Sequence, residues 1–422
     1  MSVVTYTPNF PANLLKLDNG LTIIHQYIPT NPVVVLDVWV RAGARQEPDR
    51  WSGIAHFLEH MIFKGTENVG PGIFDQIIEN RGGMANAATS HDYAHFFVTT
   101  AAQYIEEIVS ALAELLLRAS IPESEFTTEL EVVLEEIRQS EDCPDLVGFQ
   151  ALMENVYQRH PYRRSIMGTE ELLRQRKVNE MRCFHQNHYQ PENMAVVVVG
   201  RVEASQVIDL VSVAFEKFSE KCYDCPRAEI EAEPIITNVR RQEIYLPRLE
   251  QGRLTMAWIG PGVDQIDDAY GLDLLSVLLA SGRSSRLVRQ LREELGLVQG
   301  ICSNFSLQQD SSLFTISAML EPKDIPEVEA RICDRIYELL TLDIPDTELV
   351  RYQRLLCNDY AFSTETPGQL AGLYGYYFTI ATPDLAVTYP QKITEFKPKE
   401  LLNLAEKYLS PNSYAATVLI PS

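Results

Sequence analysis

The stretch His56-Phe57-Leu58-Glu59-His60 constrains this 422-residue chain more than any other. Residues four apart share one face of a helix, so His56 and His60 direct two imidazoles at a single metal ion, with Glu59 beside them. The helix is expected to begin after Trp51-Ser52-Gly53 and to end near Gly65. Two imidazoles leave a catalytic zinc site incomplete, because such a site takes three protein ligands and keeps a fourth position for water. A carboxylate or a third imidazole must therefore come from elsewhere in the chain.

The segment behind Pro122 supplies carboxylates. Its first turn is acidic through Glu123 and Glu125, as a helix N-terminus prefers, and Glu129, Glu131, Glu135 and Glu136 follow among Leu130, Val132, Val133, Leu134 and Ile137. Glu129 and Glu136 are seven apart and lie on nearly the same face, beside apolar neighbours. A carboxylate is costly to bury without a partner, so the pair either answers to a cation or belongs to a solvated acidic helix, and the segment itself leaves both open.

All eight histidines fall before residue 190. His91 and His95 are read on one alternating strand, sharing a face as sheet packing or cleft lining. His185 and His188, with Cys183 near them, sit at a helix end before a turn, where a surface or capping role outweighs a rival metal cluster. Seven scattered cysteines suit a reducing compartment better than a disulfide framework, and Cys222 and Cys225, without a second pair, read as incidental loop thiols.

The net charge of -22 argues against nucleic acid, whose phosphates it would repel. An acidic cavity would attract cationic peptides, while an evenly solvated acidic surface only keeps a protein soluble. No run of 18 or more apolar residues is present, so no spanning helix is expected. Met1 to Asn9 lacks the pattern of a secretory or organellar address, and with the free thiols this gives a cytoplasmic expectation.

Leu14 to Ile28 reads as a hairpin about Asp18-Asn19-Gly20, Val33 to Val40 as a strand, and Gly72 to Asn80 as a helix. One strand is expected from Asn86 through Val98, and helices over Gln103 to Arg118, Thr169 to His188 and Val202 to Phe218. The run Tyr189-Gln190-Pro191-Glu192-Asn193 before a valine strand has a counterpart in Tyr408-Leu409-Ser410-Pro411-Asn412 before Thr417 to Ile420, so the second half repeats the first. Further helices are expected over Asp268 to Leu279, Ser285 to Leu295, Glu327 to Leu340 and Asp346 to Phe362, and strands over Leu254 to Ile259 and Leu313 to Met319. Strands and helices mix without regular β-α-β alternation, which favours α+β layers, helices packed on mixed or antiparallel sheets. The division expected is a domain at 1–220, a linker at 221–238, rich in proline and acid, and a domain at 239–422.

His56-Phe57-Leu58-Glu59-His60-Met61-Ile62-Phe63-Lys64-Gly65-Thr66, followed by Glu129-Leu130-Glu131-Val132-Val133-Leu134-Glu135-Glu136-Ile137, resembles the M16 (pitrilysin-type, inverzincin) zinc peptidases, above all the short-chain members related to the mitochondrial processing peptidase β subunit. Gly82-Gly83, His160-Pro161-Tyr162 and Leu291-Arg292-Glu293-Glu294-Leu295-Gly296-Leu297 extend the likeness over nearly the whole chain. The resemblance implies one zinc ion per chain held by His56, His60 and Glu136, with Glu59 as general base and Glu129 as a second carboxylate that supports catalysis. It also implies two α+β domains forming half of a clam-shell chamber. A peptide substrate would lie as an added strand along Asn86, Ala87 and Ala88, with Arg292 as a further contact. Where active members carry a tyrosine seven positions after the arginine, this chain has Gln299. That break implies a heterodimer with a related chain carrying the Arg-Tyr pair, a homodimer being the other arrangement. The acidic residues with which mitochondrial enzymes hold a substrate arginine are replaced by Leu146 and Gln150, with Asp142 and Asp145 nearby as substitutes. An inactive assembly subunit is the alternative reading, since some relatives in respiratory complexes have that role.

Overall fold

A computed structural model describes residues 3–5, 10–247 and 249–422. The reading of Met1 to Asn9 falls mostly outside the described residues. Among them the first sheet has β1 (Val3–Thr5), β2 (Asn13–Lys16), β3 (Thr22–Tyr27), β4 (Val33–Val40), β5 (Met84–Thr89), β6 (Ala94–Ala101) and β7 (Met194–Gly200), in the order β1-β2-β3-β7-β4-β6-β5. The second has β8 (Arg240–Leu246), β9 (Gly252–Pro261), β10 (Gly300–Leu307), β11 (Ser311–Leu320) and β12 (Ala415–Pro421), in the order β10-β11-β9-β12-β8. Helices pack on both sheets, and the fold is α+β.

The internal repeat has a structural meaning. β7 runs parallel to β3 and antiparallel to β4, and β12 runs parallel to β8 and antiparallel to β9. Each proline-asparagine turn therefore delivers a buried, largely apolar strand into the same slot of its own sheet. β5 and β10 then occupy the matching edges.

In the first sheet the side chains alternate between two cores. Val34, Leu36, Val38, Val40, Val196 and Val198 face one cluster, and Val35, Trp39, Ala195, Val197 and Val199 face the other. The first cluster is completed by α1 (Ile54–Ile62), α2 (Ile73–Asn80), α3 (Ile105–Arg118) and α4 (Glu123–Glu141). The second is completed by Ala371, Tyr374, Tyr377 and Phe378 of the helix Pro367–Ile380. With both faces covered, a strand reads as a continuous apolar run, which is why Val196 to Val199 show no polar alternation.

The chain forms two compact units, one from 1–138, 164–230 and 363–387, the other from 139–163, 231–362 and 388–422. The expected single boundary at 221–238 is thus crossed twice. The helix Pro367–Ile380, late in the sequence, buries its face in the first unit, and α5 (Pro144–Val156), early in the sequence, packs Leu152, Met153 and Val156 against Ala257 and Ala415 in the second. Amphipathic spacing shows that a helix has a face to bury but not which sheet receives it.

Three other expectations need correction. The strand from Asn86 to Val98 is two strands, β5 and β6, joined by a turn at Ser90 to Tyr93 in which Ser90 N–H donates to the Tyr93 carbonyl at 2.7 Å. Ser90-His91-Asp92 supplies the polar residues such a turn uses. The helix from Thr169 to His188 breaks into Glu170–Leu173 and Val178–His188, restarting where Lys177 N–H donates to the Glu180 carboxylate at 3.0 Å. The helix Ser285 to Leu295 contains a wider π-type stretch, Val288–Glu294.

Candidate metal centre

α1 begins at Gly53, whose φ of 91° lies in the left-handed region. A Cβ there would meet the Met167 carbonyl oxygen at 2.5 Å, so the position admits glycine alone. Glu47, fully buried, closes the helix end: its two carboxylate oxygens accept N–H bonds from Gly53 at 3.0 Å and Ala55 at 2.8 Å. These are orphan donors of a helix N-terminus, where negative charge is favoured. Arg164 holds the same loop through the carbonyl oxygens of Glu47 at 2.9 Å and Ala44 at 2.7 Å. Burial pushes the Glu47 carboxyl up to about 8, against the pull of Ala55 N–H, Arg164 and Gly53 N–H.

From this anchored helix His56 and His60 face Glu136 of α4. One oxygen, Glu136 Oε2, lies 3.4 Å from His60 Nε2 and 3.7 Å from His56 Nε2. The ligand atoms of the three residues lie within 4.8 Å of one another, and no other group of three His, Cys, Asp or Glu side chains meets that condition among the described residues. Burial pulls His56 down to about 4, with Glu136 opposing and His60 reinforcing, so its ring is uncharged near pH 7 and its approach to Glu136 is no ion pair.

His60 Nδ1 stands 3.0 Å from Glu129 Oε1. A carboxylate only accepts, so Nδ1 carries the proton, and in the neutral tautomer Nε2 turns a lone pair toward the Glu136 oxygen. Acceptor atoms facing one another in this way are what a cation satisfies. Two imidazole nitrogens and one carboxylate oxygen fit zinc, with a fourth position left for water. His56 Nδ1, in contrast to that of His60, is buried without a hydrogen-bond partner.

Glu129 is nearly buried and also lies 2.5 Å from Lys64 Nζ. It touches the His60 ring and a cation, not the converging atoms of His56, His60 and Glu136. Glu59 points to the sheet edge, where its Oε2 accepts from Thr89 Oγ1 at 2.5 Å. Burial raises the Glu59 carboxyl above its usual range; Thr89, His60 and His95 pull it back, and Glu136 pushes it further up. Tyr189 is buried nearby, its hydroxyl raised well above the normal range by burial and by the Glu59 charge.

Thr89 ends β5, the edge strand that carries Asn86, Ala87 and Ala88, all at least partly exposed. Ala87 N–H is held by Asn86 Oδ1 at 2.9 Å. Arg292 lies in the second unit, its guanidinium on Glu293 at 2.5 and 3.0 Å. Asp145 is ion-paired with Arg253, and Gln150 donates to Glu154 and to the Arg163 carbonyl.

The remaining histidines have structural partners. His91 lies in the turn after β5, not on a strand with His95, and contacts the Arg164 carbonyl at 3.1 Å. His95 stacks on Trp39 with ring centroids 4.1 Å apart and reaches Asp37 at 3.1 Å. His185 meets the Leu116 carbonyl at 2.7 Å. The sequence reading missed Glu47, Lys64, Thr89 and Tyr189. Lys64 lies in the turn after α1, beyond its last residue Ile62, and like the others it reaches the site only through the fold.

An inverted His-x-x-Glu-His helix whose histidines meet a glutamate of a neighbouring helix, carried on an α+β frame, is a metallopeptidase-like architecture. The family model described as insulinase (peptidase family M16) matches residues 22–170, and that described as the peptidase M16 inactive domain matches 177–356. The chain belongs to the M16 peptidase family. It is 27% identical to zinc protease PqqE of Helicobacter pylori over 427 residues, covering 100% of this chain and 95% of that one. It is also 27% identical to the Bacillus subtilis protein named uncharacterized zinc protease YmxG, covering 82% and 83%. Among solved structures, a protease from Helicobacter pylori aligns with a TM-score of 0.89 at 27% identity over 97% of this chain and 99% of that one. A putative M16-like peptidase from Alicyclobacillus acidocaldarius aligns with a TM-score of 0.87 at 21% identity over 100% of both chains, a likeness of fold.

Proposed function

We propose that the chain is a zinc-dependent endopeptidase acting on short or unfolded peptides. The observation that carries this reading is the convergence of His56, His60 and Glu136 with Glu59 alongside. When bound there, zinc supplies an acidified water and polarises the scissile carbonyl. Glu59, held at Oε2 by Thr89, keeps Oε1 to accept the proton of the attacking water and return it to the leaving amine. The open edge of β5 offers backbone pairing to an extended peptide next to that base, giving affinity with little sequence preference.

Gln299, in the place of the family tyrosine, supports a zinc-bearing subunit that works in a chamber with a related chain carrying the Arg-Tyr pair, or with a second copy. A second reading, a non-catalytic assembly subunit, draws on the inactive-domain description of the model matching 177–356. The test is metal analysis and a mixed peptide library, applied to the chain purified with such a companion. Glu59→Gln is expected to keep zinc and lose cleavage, and Glu136→Gln to lose both. Cleavage retained by Glu59→Gln would overturn the mechanism, and a zinc-loaded complex that cleaves nothing would favour the assembly role.

A further inference from the structure

Cys183 and the stretch Cys222-Tyr223-Asp224-Cys225, far apart in sequence, meet in the fold. Cys183 lies on the helix Val178–His188, buried in the core of the first unit, and Cys222 and Cys225 pack half-buried against that core. The Cys183 S–H has the sulfurs of Cys222 and Cys225 as acceptors, while Cys222 reaches Cys225 only through its charge. Cys183 is therefore the partner that both loop thiols share.

Three thiols suggest a metal, but thiolates on one zinc ion sit roughly 3.8 Å apart, from a Zn–S bond of about 2.3 Å. Among the described residues only His56, His60 and Glu136 bring three ligand atoms within 4.8 Å of one another. The three sulfurs do not converge on one point, whereas a disulfide takes two at a time. Between the helix Ala204–Ala214 and β8 the chain has neither helix nor strand, so the loop brings a thiol onto Cys183 without breaking helical or sheet hydrogen bonds. Its start is pinned to the turn after the helix Val178–His188: Gln190 Nε2 donates to the Ser219 carbonyl at 2.9 Å, and Lys221 Nζ lies 2.5 Å from Glu192. Asn187 Nδ2 donates to the Cys183 carbonyl at 2.8 Å and lies 3.8 Å from Cys183 Sγ. Held in this way, the thiols face one another at a high effective concentration.

We propose that Cys183 forms a reversible disulfide with the Cys222–Cys225 loop, the two loop cysteines exchanging as its partner, with a low-molecular-weight disulfide as the oxidant. Burial pushes the Cys183 and Cys225 thiols up, so each waits on deprotonation, and the less buried loop thiols meet the oxidant first. A loop thiol gives its proton to solvent and attacks one sulfur of the oxidant; the S–S bond breaks, one small thiolate leaves and is protonated, and a mixed disulfide remains. Cys183 then loses its proton and attacks the protein sulfur of that bond, expelling the second small thiolate, which is protonated in turn. Two protein thiols are oxidised and one oxidant molecule is reduced to two thiols. The loop cysteine left over can attack the Cys183 sulfur, taking the bond to itself and freeing the first, and excess thiol runs the whole sequence backward. The product staples the loop to the helix Val178–His188.

Mass spectrometry of tryptic digests tests this, on the full chain incubated with oxidised glutathione, then alkylated, with zinc content measured in parallel. The expected product joins peptide 183–201 to peptide 222–227 with the mass of two hydrogens lost, and it disappears on treatment with dithiothreitol. Cys222→Ser and Cys225→Ser are each expected to keep the joined product through the remaining partner, and Cys183→Ser to lose it. The double variant Cys222→Ser/Cys225→Ser changes only half-buried loop side chains, and its Cys183 should stay free for alkylation even if Cys183→Ser fails to fold. A bond confined to 222–227, glutathione adducts without the joined peptide, or loss of the product in either single loop variant would overturn the proposal. So would a second zinc ion per chain that Cys183→Ser removes, which would mark a metal site instead.

Discussion

Removing the Glu129 carboxylate separates support of the metal site from support of the fold. Glu129 Oε1 accepts from His60 Nδ1 at 3.0 Å and Oε2 faces Lys64 Nζ at 2.5 Å. Glu129→Gln keeps a neutral acceptor for His60; since a charged acceptor is worth about 1.5–3 kcal/mol and a neutral one about 0.5–1.5, the imidazole loses about 1 kcal/mol of orientation. Glu129→Leu loses all of it, so zinc affinity is expected to fall by about tenfold in the first variant and nearer a hundredfold in the second. Both leave Lys64 without its counter-charge, but its side chain is 27% exposed and water recovers part of the loss. The stability cost is therefore about 1–2 kcal/mol, below the value for a fully buried pair. Adding Lys64→Met to Glu129→Leu restores stability and leaves zinc affinity low, because nothing then orients His60. Zinc affinity is read by competition with a chromophoric chelator, and stability by urea unfolding of the metal-free chain. Wild-type zinc affinity in Glu129→Leu, or its recovery in the double variant, would refute the positioning role.

Three further outcomes follow from the same structure. Thr89→Val removes a hydrogen bond that favours ionised Glu59, so the acidic limb of the kcat/KM profile should move to higher pH, whereas an unmoved limb would separate Thr89 from the base. A Cβ at Gly375 would meet the Trp39 indole nitrogen at 2.1 Å, and Trp39 is packed against Tyr93 and His95, so Gly375→Ala should cost about 1–3 kcal/mol and lower Tm. Burial holds His185 at about 4, below the 6.5 of an unfolded histidine, so the unfolded chain binds the extra proton and stability falls as pH drops from 6.5 toward 4. That slope is about 1.4 kcal/mol per pH unit for one histidine, and His185→Gln should remove it from denaturation curves taken across the window.

Local chemistry wrote much of this protein plainly. Asn19-Gly20 closes its hairpin with Gly20 at a φ of 101°, Val33–Val40 is a strand over the expected span, and Asp346–Phe362 is a helix over the expected span. The spacing of His56 and His60, and of Glu129 and Glu136, depends only on the helical period, so both pairs of side chains were legible before any fold was known. The turn at Ser90 was lost because the residues on both sides of it suit a strand, and the pairing of β5 with β6 is decided by the neighbouring sheet.

Sequence alone determined which residues could hold a metal and that the two halves share one plan, because both are matters of period and repetition along the chain. Only the tertiary structure decided that Glu47 caps the helix of His56 and His60, that Thr89 holds Glu59, that Glu129 meets the His60 ring rather than the converging atoms, and that Pro144–Val156 and Pro367–Ile380 each pack in the unit built mainly by the other half. The physical reason is common to all four. Each depends on which apolar face meets which sheet, and burial energy is non-directional and carries no sequence address.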